Sequence, residues 1–239
     1  PAAARRGAGG DLGAPGRMTP DIVARRVGEE EQPVVVIDGF HPDPDALRAA
    51  GIAGAWRAAE RHYPGVRADL PSDYLARVRP VLALVLRDVF GLRGGVDVLD
   101  ASFSLVIKAP DELTLPQRLP HVDAVEPGRI ALVHYLSPGE VDGTAFFRHR
   151  ASGHETIDAV RAPDFYETLR REVAAAPPEG YVHDDTPLFA RTALIPARFN
   201  RAVVYRSAML HSGAIADAGA LSADPATGRL TITAFLAGV

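Results

Sequence analysis

The sequence predicts an α+β fold, in which a helix-rich first third precedes about seven short strands that form a sandwich or jelly roll. Two patterns carry this reading. Between residues 43 and 90 apolar side chains recur at helical spacing. From residue 96 onward they fall into alternating or β-branched runs separated by prolines and glycines. No internal repeat is visible, and 239 residues suit one large domain.

Taken in order, residues 1–17 (PAAARRGAGGDLGAPGR) are low in complexity and lack the apolar core of a signal peptide. They are expected to be a flexible arm or an expression remnant, leaving 18–239 as a single domain, helix-rich over 33–92 and β-rich over 97–237. PVVVIDGF (33–40) is β-branched and bounded by proline and glycine, which predicts a buried strand. Asp43 or Asp45 can cap a helix running to about residue 60. YPGVRADLP is expected to be a loop. Leu75, Val78, Leu82, Val85, Leu86 and Val89 predict a helix over 72–90 that stops at Gly91, with Pro80 able to kink or split it. Strands are predicted at 97–108, 129–136, 143–149, 188–195, 200–206, 210–215 and 229–237. A helix over 163–176 has Pro163 near its first turn.

Composition narrows the function. Apolar residues make up 47% of the chain, enough for a sizeable core. The net charge of −4, with no dense basic patch, argues against nucleic acid. No apolar segment approaches the roughly 20 residues that span a bilayer. The absence of cysteine excludes thiolate catalysis, disulfides and cysteine metal sites, and fits a cytoplasmic protein. Lys108 is the only lysine, so Schiff-base chemistry would rest on one residue at a strand end, where a solvated role is the plainer reading.

The chemistry lies elsewhere. His121 and Asp123 flank one residue in an extended segment, and side chains at i and i+2 point the same way, so both can reach one ion. Two imidazoles and one carboxylate on one face of a divalent metal leave the open positions that dioxygen activation needs. His211, after the strand RAVVYRS, is the best candidate for the second imidazole. Because Asp123 supplies the carboxylate, no position is left for a halide, which favours hydroxylation or desaturation over halogenation. Arg229 opens the strand GRLTITAFL, where a guanidinium pointing into a barrel matches a carboxylate. Thr231, Thr233 and Phe235 share its face. Tyr135, on a face with Val133 and Ala131, could join Arg229 in holding one end of a dicarboxylate whose other end chelates the metal.

HVD (121–123), GRIALVHYLS, DGTAFFRHR, NRAVVYRSAMLHSG and GRLTITAF together resemble the Fe(II)/2-oxoglutarate-dependent dioxygenases, in particular their prolyl-hydroxylase-like branch and, within it, a bacterial group of uncharacterised function. The resemblance covers roughly residues 97–237. It implies a double-stranded β-helix, or jelly roll, with the N-terminal helices packed on one sheet. It places Fe(II) on His121, Asp123 and His211, and 2-oxoglutarate on Arg229, with Tyr135 and Thr231 beside it. It further implies that O2 is consumed, 2-oxoglutarate is decarboxylated to succinate, and an unactivated C–H bond is hydroxylated or desaturated. The expected partner is a small-molecule, amino-acid or peptide substrate, with a homodimer left open. The stretch between His211 and Arg229 is longer than is usual for the family.

Further candidates are positional. Tyr63 and Arg67, in YPGVR, can line the entrance, Gln117 and Ser104 can stand beside the metal, and Arg148 can touch substrate. His134 lies on the face opposite Tyr135 and is read as structural. His149 and His154 could form a second metal site, although a polar hairpin with solvated side chains is the simpler reading. Two rival classes share the ligand pattern: a cupin-type metalloenzyme that needs no 2-oxoglutarate, and a catalytically silent binding module on the same barrel.

Overall fold

The computed structural model describes residues 19–59, 63–138 and 143–238. Its strands are β1 (Asp21–Val27), β2 (Gln32–Asp38), β3 (Arg57–Ala58), β4 (Gly65–Ala68), β5 (Val96–Val106), β6 (Arg129–Tyr135), β7 (Gly143–His149), β8 (Phe189–Pro196), β9 (Arg201–Arg206), β10 (His211–Gly213) and β11 (Leu230–Gly238). The helices are α1 (Pro44–Ile52), α2 (Tyr74–Asp88) and α3 (Ala162–Ala175). The chain is α+β, as the sequence predicts. The expected arm at 1–17 lies outside the described residues.

One antiparallel sheet runs in the order β1-β2-β9-β6-β11-β5-β4-β3 and a second in the order β10-β7-β8. A bridge from His121 to His211 adds the segment around residue 121 to β10. From β5 onward the chain therefore visits the large sheet, the small sheet at 121, the large sheet in β6, the small one in β7 and β8, and then large, small and large in β9, β10 and β11.

The two-residue period of a strand sorts side chains into layers. Ala131 and Tyr135 of β6, Val203 and Tyr205 of β9, and Val34 and Val36 of β2 meet Phe146 and Ile195 of the small sheet in one buried cluster. The alternate residues Ile130, Leu132, Val204 and Ile232 face outward, where Leu47 of α1 and Tyr74, Val78, Val85 and Leu86 of α2 cover them. On the other side, Phe165, Leu169 and Val173 of α3 cover Ala145 and Phe147 of β7. The order is thus helices, large sheet, small sheet, helix. Each Val, Leu, Ile or Phe among them contributes roughly 1.5–3 kcal/mol when buried. Among the described residues no helix is long and apolar enough to cross a membrane.

Several elements depart from expectation. The Asp43 carboxylate caps α1 by accepting from the Ala46 N–H at 3.2 Å, but the helix stops at Ile52 rather than near residue 60. Gly51 packs on Leu230 and Phe103, its carbonyl accepts from the Trp56 indole at 3.2 Å, and the chain turns into β3. The expected loop at 63–71 contains β4, which pairs with β5. At Gly65 a Cβ would stand 1.9 Å from the Leu105 carbonyl oxygen, so only glycine lets the two backbones approach. β1 was not expected, because nearly all its side chains are exposed and it shows no inward periodicity. α2 runs through Pro80 as one helix. Pro80 and Ala76 face solvent, so water can serve the carbonyl that proline leaves without a donor.

His134 is structural, as read. Its ring lies beneath α2, with Nδ1 3.3 Å from the Tyr74 hydroxyl and Nε2 3.1 Å from Asn200 Oδ1. Burial pushes its pKa down to about 3, so the imidazole stays neutral. His149, by contrast, is not solvated. It is buried, with Nδ1 2.9 Å from the Ser152 hydroxyl and Nε2 2.8 Å from the Glu172 carboxylate, and it packs on Phe165 and Phe189. That corrects the polar-hairpin expectation: His149 ties β7 to α3.

Candidate metal centre

His121 and His211 stand opposite each other in adjacent extended segments. The His121 N–H donates to the His211 carbonyl, and the His211 N–H to the His121 carbonyl, both at 2.9 Å. The Asp123 N–H donates to the Ser207 carbonyl at 2.9 Å, pinning that residue to the turn after β9. Three backbone bonds therefore hold three side chains of the predicted types around one point.

The side chains converge. Asp123 Oδ1 lies 3.7 Å from His121 Nε2, and Asp123 Oδ2 lies 3.4 Å from His211 Nε2. One ligand atom from each residue falls within 4.8 Å of the others, the one such cluster found among the described residues. His211 Nδ1 donates to the Met209 carbonyl at 2.9 Å. A carbonyl only accepts, so Nδ1 carries the proton and the Nε2 lone pair is left facing Asp123. The Tyr205 ring stands edge-on to His211, 4.8 Å between centroids, and backs the site.

The environment suits a cation. Asp123 Oδ2 is buried and accepts no hydrogen bond. Leaving a buried oxygen without a partner costs about 1–3 kcal/mol, and more when it is charged. A divalent ion between Asp123 and the two Nε2 atoms would satisfy it. The side chains of Asp123 and His211 are 15% and 6% exposed and that of His121 is 52% exposed, so the triad is closed on one side and open on the other.

The open side faces a cavity of about 1020 Å³. Its walls include all three triad residues, Arg229 and Thr231, together with Tyr63, Arg67 and Gln117. Arg229, just before β11, donates to the Gly143 carbonyl at 2.9 Å, and its guanidinium carbon lies 5.8 Å from the centroid of the Tyr135 ring. Tyr135 itself does not line the cavity. It is buried behind Thr144, their hydroxyls 2.6 Å apart, and Thr144 is the residue that faces the space. Thr231 donates to the Ser104 carbonyl at 3.3 Å. Burial raises the pKa values of Tyr63, Tyr181 and Tyr205, and the nearby Arg229 charge partly opposes this at all three, so these phenols stay neutral. Arg67 pairs with Asp100 at 2.8 Å. Arg148 stands apart, paired with Glu29 at 2.6 Å.

Sequence reasoning missed Thr144, Tyr181, Tyr205 and Arg129, all of which line the cavity. Tyr205 shares the inward face of RAVVYR with Val203, and Arg129 shares that of RIALVHY with Ala131, so alternation could have indicated both. Tyr181 lies outside the strands and helices and carries no such signal.

A family model described as a family of unknown function, DUF6445, matches residues 18–236. No curated protein matches the chain. Among solved structures, HygX from Streptomyces hygroscopicus, with nickel, 2-oxoglutarate and hygromycin B bound, is 16% identical with a TM-score of 0.45, over 86% of this chain and 83% of that one. EvdMO1 is 14% identical with a TM-score of 0.41, over 93% of this chain and 56% of that one. An N-substituted L-amino acid dioxygenase from Burkholderia ambifaria AMMD, in complex with alpha-KG, is 10% identical with a TM-score of 0.38, over 88% and 84%.

Proposed function

We propose that this chain, which belongs to the DUF6445 family, is a non-haem Fe(II)- and 2-oxoglutarate-dependent oxygenase. Its reaction is the hydroxylation or desaturation of an unactivated C–H bond in a small molecule, amino acid or peptide. The observation that carries this is the His121, Asp123 and His211 cluster, with its unpartnered carboxylate oxygen, opening into one cavity with Arg229. The alternation of the chain between the two sheets from β5 to β11 supports a double-stranded β-helix.

His121, Asp123 and His211 would hold the iron through two nitrogens and one oxygen, the donor set suited to Fe(II) with open positions. When bound, the iron and its cosubstrates supply oxidation of a C–H bond by O2, coupled to decarboxylation of 2-oxoglutarate to succinate. The protein contributes position and charge. The Met209 carbonyl fixes the His211 tautomer. Arg229 receives the far carboxylate of 2-oxoglutarate, with Thr231 and the neutral Tyr63 phenol beside it. Tyr135 acts at one remove, its ring under Arg229 and its hydroxyl holding Thr144. No general acid or base is required.

Anaerobic titration calorimetry with Fe(II) and then 2-oxoglutarate, followed by NMR detection of succinate after oxygen is admitted, tests the reading. Both ligands should bind in that order and succinate should form. Metal binding without 2-oxoglutarate binding would point to the cupin-type alternative. Binding of both with no succinate would point to a silent binding module, and absence of metal binding would sink the proposal.

A further inference from the structure

Four arginines line the cavity: Arg57, Arg67, Arg129 and Arg229. Arg57 pairs with Asp69 at 2.6 Å and Arg67 with Asp100 at 2.8 Å. Arg229 is assigned above to the cosubstrate. The Arg129 side chain makes no hydrogen bond or ion pair with any described residue, and its Nε is buried. A guanidinium partly removed from water with no counter-charge is costly unless an anion completes it. Arg129 also borders a neighbouring cleft that contains Glu126 and Asp158, but neither pairs with it. Asp158 Oδ1 accepts from the N–H groups of Val160 and Arg161, and Glu126 is exposed.

Position gives this unpaired charge a meaning. Thr231 pairs with Tyr135 and Ala237 with Arg129, so Arg129 lies at the opposite end of β6 from the Arg229 neighbourhood. The two ends are six positions apart along the strand, roughly 20 Å at ~3.3 Å per residue. The metal ligands fall between. Ser207 accepts from the Asp123 N–H and donates to the Arg129 carbonyl at 3.0 Å, while Gly213, two residues past His211, lies against Arg229. If 2-oxoglutarate enters at the Arg229 end, the Arg129 end is left for the molecule to be oxidised.

The wall there carries apolar side chains beside Asp100, whose charge Arg67 already pairs. Phe235 is opposite Ala131 in register, and both line the cavity. Across β11 the register slips: Phe235 pairs with Asp100 and Leu236 with Val98, leaving Leu99 as the extra residue of a bulge. Bulges re-aim side chains beside functional sites. This one presents Leu99, 48% exposed, to the cavity.

We propose that the substrate is an organic acid, carrying a carboxylate or phosphate that binds Arg129 and an adjacent apolar part that lies on Leu99 and Phe235. The inference rests on the oxygenase reading of this cavity. The probes that test it are phenylacetate, phenyl phosphate, the neutral isostere phenylacetamide, and acetate, which lacks the apolar part. Binding is read by ligand-observed NMR on protein loaded with Zn(II), which does not turn over, and saturated with 2-oxoglutarate. At least one aromatic acid should bind more tightly than phenylacetamide and acetate, and which of the two does so separates a carboxylate from a phosphate substrate. Arg129→Gln should weaken that acid by about tenfold or more, the scale of one charge-assisted hydrogen bond. Arg129→Lys should restore part of the loss, and 2-oxoglutarate binding should change in neither variant. Equal binding of acid and amide, no acid binding at millimolar concentration, or an unchanged affinity in Arg129→Gln would overturn the proposal. Should 2-oxoglutarate fail to bind, the oxygenase reading fails alone. The same probes on metal-loaded protein, with Arg229→Gln as the control for the other arginine, still decide whether Arg129 is an acid site.

Discussion

Asp123→Asn should make the metal-free protein more stable while removing its ability to be stabilised by metal. In the wild type, Asp123 Oδ2 is buried without a hydrogen bond, 3.4 Å from a His211 Nε2 whose lone pair points towards it, because Nδ1 is committed to the Met209 carbonyl. Two acceptors therefore face each other. Asparagine keeps the shape and can turn its amide N–H₂ towards Nε2. Removal of one unsatisfied buried oxygen contributes about 1–3 kcal/mol, and a new neutral hydrogen bond about 0.5–1.5 kcal/mol. The two effects overlap, so a net gain of about 1–3 kcal/mol is expected, or roughly 2–10 °C in midpoint for a chain of this size.

The assay is thermal and urea unfolding of the metal-free protein in EDTA at pH 8. The same melts with divalent metal at about 100 times its dissociation constant should raise wild-type stability by about 2.7 kcal/mol and leave Asp123→Asn nearly unmoved. A metal-free variant less stable than wild type would refute the argument that this carboxylate is strained by lack of a partner. Equal metal stabilisation of both proteins would remove Asp123 from the site.

Four further outcomes are expected. Arg229→Ala should weaken 2-oxoglutarate by about two orders of magnitude or more, since loss of one partner of a buried charge pair costs roughly 2–5 kcal/mol, with metal affinity nearly unchanged; calorimetry that finds 2-oxoglutarate binding unmoved would shift the role to another basic residue. His134, with a folded pKa near 3 against 6.5 unfolded, binds fewer protons folded than unfolded between those values, so its neutral burial supports the fold fully above pH 6.5 and loses that support as pH falls towards 3. His134→Gln, though less stable at pH 7, should therefore show a shallower fall in urea midpoint from pH 7 to pH 5, and parallel curves would contradict this. Gly65→Ala should unpair β4 from β5, because its Cβ would meet the Leu105 carbonyl oxygen at 1.9 Å, and should be destabilised by urea unfolding well beyond an ordinary surface change. With excess chloride present, mass spectrometry of turnover mixtures should find product bearing oxygen from labelled O2, or lighter by two hydrogens, because Asp123 fills the position a halide would need; a chlorinated product would count against the carboxylate's place on the metal.

What the sequence revealed and what it hid follow from one distinction. Residues that act together by spacing within a single element were legible. His121 and Asp123 share a side because an extended chain alternates, and Thr231 and Thr233 line the cavity for the same reason. The inward face of β6 was legible too, yet Tyr135 ended behind Thr144, because whether an inward side chain reaches open space depends on what the facing sheet places before it. Elements with little burial left no trace: β1 is exposed along nearly its whole length, and β3 and β4 are held by backbone pairing that Gly65 permits rather than by side-chain pattern. Helical periodicity past Ile52 misled, since Gly51 and Trp56 close the turn by a contact that spacing alone does not encode.

Selectivity lies furthest from the sequence. Arg67 meets Asp100 across 33 residues, and Leu99 reaches the cavity only because β5 carries one residue more than β11 at that point. A one-residue bulge reverses which side a strand presents, so the apolar wall beside Arg129 is a property of the register between two strands and of neither strand alone. A chain could keep its metal ligands and its cosubstrate arginine while a shift in that register moved Leu99 out and a polar residue in. For that reason the triad argues for a type of reaction, and the charge left unpaired at Arg129 argues for the molecule it acts on.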